Sequence, residues 1–301
     1  MIYVMGSVHG NAKAYFSMKE KINLQKEDHL YVLGNIFDGN DEHPEQCLII
    51  LEDIMQNDNV TLIVGEHEYW HAMYNYRMLL SQKEQNEINN KMQDMSPKTE
   101  PLNSFLSTLS QNKRLYYFDY IRSCQPHKII RIKDQYYFLS SAYPPIKDFY
   151  ANKAIEEIKY LWTLFYNPIY YYNANDFEWF VTTLKKGLLS FEDKQIKYCD
   201  GLENAIVITS SRSSDSLVKR INKDNEDKDR DSGYRKYNYA TLNTIPYGGY
   251  QRIITDDKNN ISIDCGCSEN QYNYSLKPTL ACLRIDDDNN ISVIYKHNLH
   301  E

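Results

Sequence analysis

From residue 2 to about residue 75, apolar runs and amphipathic stretches alternate along the chain. Ile2 to Met5 is an apolar run that predicts a strand, Gly6 to Asn11 a turn, and Ala12 to Ile22, with apolar residues at helical spacing, a helix. The rhythm repeats with a strand from Leu30 to Asn35, a loop from Ile36 to Pro44 and a helix from Glu45 to Gln56. It repeats again in Val60 to Glu68, with a helix from about Tyr69. Three apolar strands that each run into a Gly-containing polar turn predict a parallel sheet with helical crossovers. Ligands bind such sheets outside the carboxyl ends of the strands, so the three turns converge on one place.

The pattern then loosens. Leu79 to Thr108 is polar and helical, interrupted at Ser96-Pro97 and Pro101. Leu115 to Leu139 reads as two strands, Tyr116 to Cys124 and a second from His127, paired antiparallel about Gln125-Pro126. Ile155 to Phe165 and Phe177 to Leu184 predict amphipathic helices, and Asn204 to Ser211 a buried strand ending in a small polar turn. Lys219 to Tyr237 mixes charges of both signs and is poor in apolar residues, which predicts a mobile solvated insertion rather than a partner-binding segment. Asn259 to Cys267, Leu280 to Asp286 and Asn290 to His297 read as short strands of an antiparallel meander. With no internal repeat and no long linker, residues 1–301 are expected to form a single domain.

Composition narrows the function classes. A net charge of −7 speaks against a general nucleic-acid binder. No run approaches the roughly 18 apolar residues of a membrane-spanning helix, and a strand beginning at Ile2 leaves no room for a secretory leader. Six cysteines scattered over 301 residues do not make a disulfide framework, so a reducing cytoplasm is expected. Cys265-Gly266-Cys267 has the wrong spacing for a zinc knuckle and reads as buried thiols.

Val64 to Met73 carries the candidate chemistry and has two readings. His67-Glu68-Tyr69-Trp70-His71 spells H-E-x-x-H, the zinc-peptidase signature, in which both histidines share one helical face and Glu68 is the general base. Yet His67 follows a strand and its turn directly, which places it at a strand-to-helix junction and leaves His71 facing solvent or packed on the helix. The peptidase is therefore a remote alternative.

The other reading is a family resemblance. Gly6 to Asn11 (GSVHGN), Gly34 to Asn40 (GNIFDGN) and Gly65 to Glu68 (GEHE) resemble, in order and spacing, G-D-x-H-G, G-D-x-x-D-R-G and G-N-H-E of the calcineurin-like metallophosphoesterases. The similarity is to the bacterial protein-phosphatase and dinucleoside-tetraphosphatase branch. Ser141 to Pro145, Val207 to Arg212 and Ser262 to Cys267 continue it more weakly. The resemblance implies an α/β fold, a four-layer α/β/β/α sandwich of two mixed sheets flanked by helices.

It also implies where the chemistry would sit, and most of those positions are changed. Ser7 stands where the family has its first Asp ligand, Asn35 where a carboxylate bridges two metals, and Glu66 where an Asn ligand stands. Ser141 and Ser210 align with two histidine ligands, and Gly39 with the Arg that grips phosphate. His9, a ligand in the family, is retained, as are Asp38 and His67, the latter aligned with the His that assists the leaving group. Two divalent ions about 3.5–4 Å apart need bridging anionic ligands to offset their repulsion. An Asn amide does not bridge as a carboxylate does, and a neutral Ser hydroxyl is a poor ligand.

The expected function is thus a catalytically impaired or inactive phosphoesterase homologue that binds a protein partner or a phosphorylated small molecule. No cofactor is expected. The alternative is a weak phosphatase or nucleotidase with one weakly held Mn, Fe or Zn ion at a rebuilt site of His9, Asn35, Glu66 and His67. Blander readings stand beside these. Asp38 and Asp264 hold turns, Glu66 pairs with His67, the serines line a neutral pocket or merely tolerate an empty one, and Arg212 lies on the surface.

Overall fold

Side-chain alternation along the first strands decides how the layers stack. In β1 (Ile2–Met5) and β2 (His29–Val32), Tyr3, Met5, Leu30 and Val32 face one way, while Val4 and Tyr31 face the other. A strand's period of two forces this split, so apolar residues on both faces demand cover on both. The structure is a computed structural model of the 301-residue chain and describes residues 1–76, 82, 86, 96–125, 127–141, 205–210, 253–255, 260–267 and 278–296.

β1, β2 and β3 (Val60–Leu62) are parallel, and β9 (Leu280–Ile285) and β10 (Ile291–Lys296) join antiparallel, giving the order β10-β9-β1-β2-β3. A second sheet has the order β4-β5-β6-β8-β7, from β4 (His127–Ile132), β5 (Gln135–Ser140), β6 (Ile206–Thr209), β7 (Ile254–Thr255) and β8 (Asn260–Ser262). β5, β6 and β8 run parallel, with antiparallel strands at both edges.

Between the sheets lies one core of Val4, Tyr31, Leu33, Ile63, Tyr137, Leu139, Ile208, Ile261, Ile263, Leu283 and Ile285. The outer face of the first sheet packs on α1 (Ala12–Ile22), α2 (Gln46–Gln56), α4 (Ser96–Thr108) and α5 (Gln111–Ser123) through residues such as Tyr15, Met18, Leu51, Leu106 and Phe118. Burying each such side chain is worth about 1.5–3 kcal/mol. The fold is thus two mixed sheets with flanking helices. The helices expected at 155–165 and 177–184 and the charged insertion at 219–237 lie outside the described residues.

α1 has the limits its spacing predicts. The Asn11 side-chain oxygen accepts from Ala14 N at 2.9 Å, and Asn23 closes the helix in the left-handed conformation at φ +48°. Three expectations need correction. Gln111–Ser123 is a helix, not a strand: Tyr117, Phe118 and Ile121 are buried at helical spacing, and Ser110 caps the N-terminus. Its aromatic content suggests a strand, but packing follows the period. The antiparallel hairpin instead lies within the next segment, as β4 and β5 turning at Lys133-Asp134. Pro101 sits inside α4 without breaking it, with Leu102 and Leu106 buried beyond it. The C-terminal strands are not one meander, since β8 belongs to the second sheet and β9–β10 to the first.

Candidate functional site

The strand ends do converge. Loop one after β1 is stitched to loop two after β2 by His9 N donating to Asn35 O at 2.8 Å and Gly10 N to Ile36 O at 2.9 Å. Loop two meets loop three after β3 so closely that a Cβ on Gly34 would fall 2.5 Å from the Gly65 backbone, and one on Gly65 would fall 2.4 Å from Asn35 Oδ1. Left-handed backbone concentrates here: His9, Asn35 and Asp38, none of them glycine, have φ of +50°, +49° and +61°, beside Gly10, Gly34 and Gly39. Sparsely populated conformations of this kind cost about 1–3 kcal/mol each and persist where the surroundings impose them.

From the second sheet come Ser141, after β5, and Ser210, after β6. Ser210 N donates to Ser141 O at 3.0 Å. Ser7 N donates to Ser210 Oγ at 2.6 Å, the Ser7 hydroxyl donates to Ser210 O at 2.5 Å, and the two hydroxyl oxygens stand 2.9 Å apart. All three serines are buried. Two of the side chains expected to replace metal ligands, Ser7 and Ser210, therefore bond to each other across the two sheets, and Ser141 joins them through its backbone carbonyl. Ser210→Ala removes the acceptor of Ser7 N and is expected to cost about 2 kcal/mol, read from the urea midpoint. Asp264 holds its turn as expected, its Oδ1 accepting from Gly266 N at 2.9 Å.

α3 (Glu66–Tyr76) supplies the charged part. It begins three residues earlier than the sequence suggests, so His67 lies in its first turn and not at a junction outside it. His71, one turn on, faces neither solvent nor the helix surface. It is fully buried, with Nε2 2.9 Å from both oxygens of Asp38 and Nδ1 3.1 Å from Asn103 Oδ1 of α4. His67 Nδ1 is 2.7 Å from Asp38 Oδ2, and the His9 ring meets His67 edge-on with centroids 5.5 Å apart. Burial alone would raise the Asp38 carboxyl pKa. The charge of His71, hydrogen bonds from His67 and His71, and the charge of His67 reverse that and hold it well below the usual carboxylate range.

Glu68 settles its own part of the H-E-x-x-H reading. Its carboxylate is fully buried, with Oε2 accepting from Asn35 N at 2.8 Å and Gly65 N at 2.9 Å, and Oε1 from Phe37 N at 2.9 Å. It clamps loops two and three and faces backbone, where a general base would face a metal-bound water. Both histidines do share a helical face, but they meet a carboxylate. Among the described residues, no group of three His, Cys, Asp or Glu is arranged to hold a metal ion.

Sequence reasoning missed Glu68 as a clamp and His71 as a partner of Asp38. The i, i+4 spacing of His67 and His71 was the available signal for the second. The Glu66 side chain and Arg212 lie outside what is described. A sequence model of the calcineurin-like phosphoesterases matches residues 1–197. The chain belongs to the calcineurin-like phosphoesterase family.

Among solved structures, this phosphoesterase homologue is similar to a hypothetical protein from Pyrococcus horikoshii OT3, at 14% identity over 98% of this chain and 87% of that one, with a TM-score of 0.43. It is similar to a cold-active protein tyrosine phosphatase at 12% identity over 97% and 78%, with a TM-score of 0.44. A protein serine/threonine phosphatase from Saccharomyces cerevisiae matches at 17% identity over 48% of this chain and 38% of that one, with a TM-score of 0.27. No protein of curated function matches the phosphoesterase homologue. No helix among its described residues is long and apolar enough to cross a membrane.

Proposed function

We propose that this phosphoesterase homologue acts by binding a phosphorylated ligand or a protein partner, with its hydrolytic chemistry impaired or lost. The observation that carries the reading is the Ser7–Ser210 pair, two neutral buried hydroxyls bonded to each other at 2.9 Å where the family pattern calls for an aspartate and a histidine. A two-metal centre does not fit these residues. Two divalent ions bring four positive charges, while Asn35 is neutral, Asp38 is engaged by two imidazoles and Glu68 by three backbone N–H groups. The loop backbone is nevertheless held in left-handed conformations at His9, Asn35 and Asp38, which favours a binding role over simple decay of the site.

Elemental analysis of purified protein incubated with manganese should find far fewer than two ions per chain, and p-nitrophenyl phosphate and dinucleoside polyphosphates should turn over at background rate. Replacing the changed positions together (Ser7→Asp, Asn35→Asp, Glu66→Asn, Ser141→His, Ser210→His) should raise manganese binding. Two tightly held ions with brisk, chelator-sensitive turnover in the unaltered protein would sink the proposal.

One observation favours a second reading. Asn35 Oδ1 is buried with no hydrogen-bond partner, an acceptor suited to one weakly held Mn, Fe or Zn ion alongside His9 and Glu66. Near one equivalent of metal with slow, metal-dependent turnover in the same assays would select that alternative.

A further inference from the structure

His71 belongs to none of the positions the family resemblance carries over, yet it is the most enclosed of the three imidazoles around the site. Its side chain has no solvent exposure, against 16% for His67, and the Asp38 side chain between them has 1%. Three residues fix the ring: Asn103 of α4 at Nδ1, and, from loop two, Asp38 at Nε2 and Phe37 edge-on with centroids 5.5 Å apart at 87°. Successive turns of α3 thus present two imidazoles to one carboxylate, itself on a left-handed residue that has no regular secondary structure to steady it.

We infer that His71 is a positioning residue, anchoring the Asp38 carboxylate so that Oδ2 holds His67 as its Nδ1–H tautomer. A carboxylate can only accept, so the His67 nitrogen 2.7 Å from Oδ2 must carry the proton. In a neutral ring the other nitrogen, Nε2, is then the basic one. A carboxylate on a strained loop turns about its own bonds unless a second donor pins it. His71 is that donor, at 2.9 Å from both oxygens and braced from behind by α4. The arrangement determines which His67 nitrogen carries the proton in the loop cluster, beside the edge of His9. This rests on the reading that the loop cluster is the ligand site, but its test reads the His67 ring directly and needs neither ligand nor turnover.

The experiment is long-range ¹H–¹⁵N correlation NMR on histidine-labelled full-length protein, with His67 assigned from the spectrum of His67→Gln. Wild type should show the Nδ1–H pattern at His67, with widely separated protonated and unprotonated nitrogen shifts. In His71→Ala that separation should collapse towards an averaged tautomer mixture, and His71→Gln, whose amide can still donate to Asp38, should restore much of it. Because His71→Ala empties a fully buried position, Asn103→Ala provides a milder arm. It removes the brace, leaves Asp38 untouched, and should narrow the separation part of the way. Nε2–H at His67 in the wild type would overturn the inference whatever the variants do. So would an unchanged His67 pattern in folded His71→Ala or in Asn103→Ala. Added zinc moving the His67 and His71 nitrogens to metal-bound values would also overturn it, by making the pair ligands.

Discussion

Glu68→Ala is expected to lose most of the stability of the fold. Three backbone donors, from Asn35, Phe37 and Gly65, share its buried carboxylate. Each donor left unsatisfied costs about 1–3 kcal/mol. Together that is about 3–9 kcal/mol, against a total of about 5–15 for ordinary domains. The loss cannot be relieved by a shift of the loops, because Gly34 and Gly65 are already in backbone contact and Asn35 is in the left-handed region. Urea unfolding followed by circular dichroism should show a sharply lowered midpoint, with Glu68→Gln between the two because its amide oxygen can still accept. Casein should be cleaved by neither wild type nor variant. An unchanged midpoint in Glu68→Ala would mean the three N–H groups have other acceptors.

Asp38→Asn is expected to cost about 3 kcal/mol at neutral pH, since it strips the charge from a buried pair and leaves His71 facing a neutral amide. The sign of its pH dependence follows from the direction of the shift. The Asp38 carboxyl is held below its usual range by the His71 and His67 interactions, which outweigh the burial that pushes it up. Its stabilisation is therefore whole above the unfolded value of about 3.9 and is lost as the pH falls through the folded one. Wild type and variant should differ fully from pH 5 to neutrality, begin to converge below about pH 4, and meet only as the pH falls through the depressed folded value. Parallel unfolding curves at every pH would remove Asp38 from the acid limb. Asparagine tolerates left-handed backbone, so the comparison isolates charge from strain.

The first three strands, their parallel direction and their convergent turns were legible because period and punctuation agree: apolar runs ending at Gly6, Gly34 and Gly65. α5 was misread because Tyr116, Tyr117, Phe118 and Tyr120 favour strands by composition, while burial of Tyr117, Phe118 and Ile121 follows a helix. The substituted positions could be named from spacing, but not what they would do instead. That Ser7 and Ser210 bond to each other depends on two sheets meeting over 203 residues of separation, which no local pattern encodes. Glu68 was hidden for a related reason. A motif gives it a chemical part, and only the position of three backbone N–H groups shows that it holds loops.

The contact between Gly34 and Gly65 also bears on how any ligand would arrive. The two backbones touch at glycines, and the Glu68 clamp fixes their spacing by tying Asn35 and Phe37 of one loop to Gly65 of the other. This wall of the site is preorganised, so little conformational entropy remains to be lost there on binding. A ligand meeting it would dock by lock and key, and the association rate would reflect encounter and desolvation instead of the tempo of a closing loop.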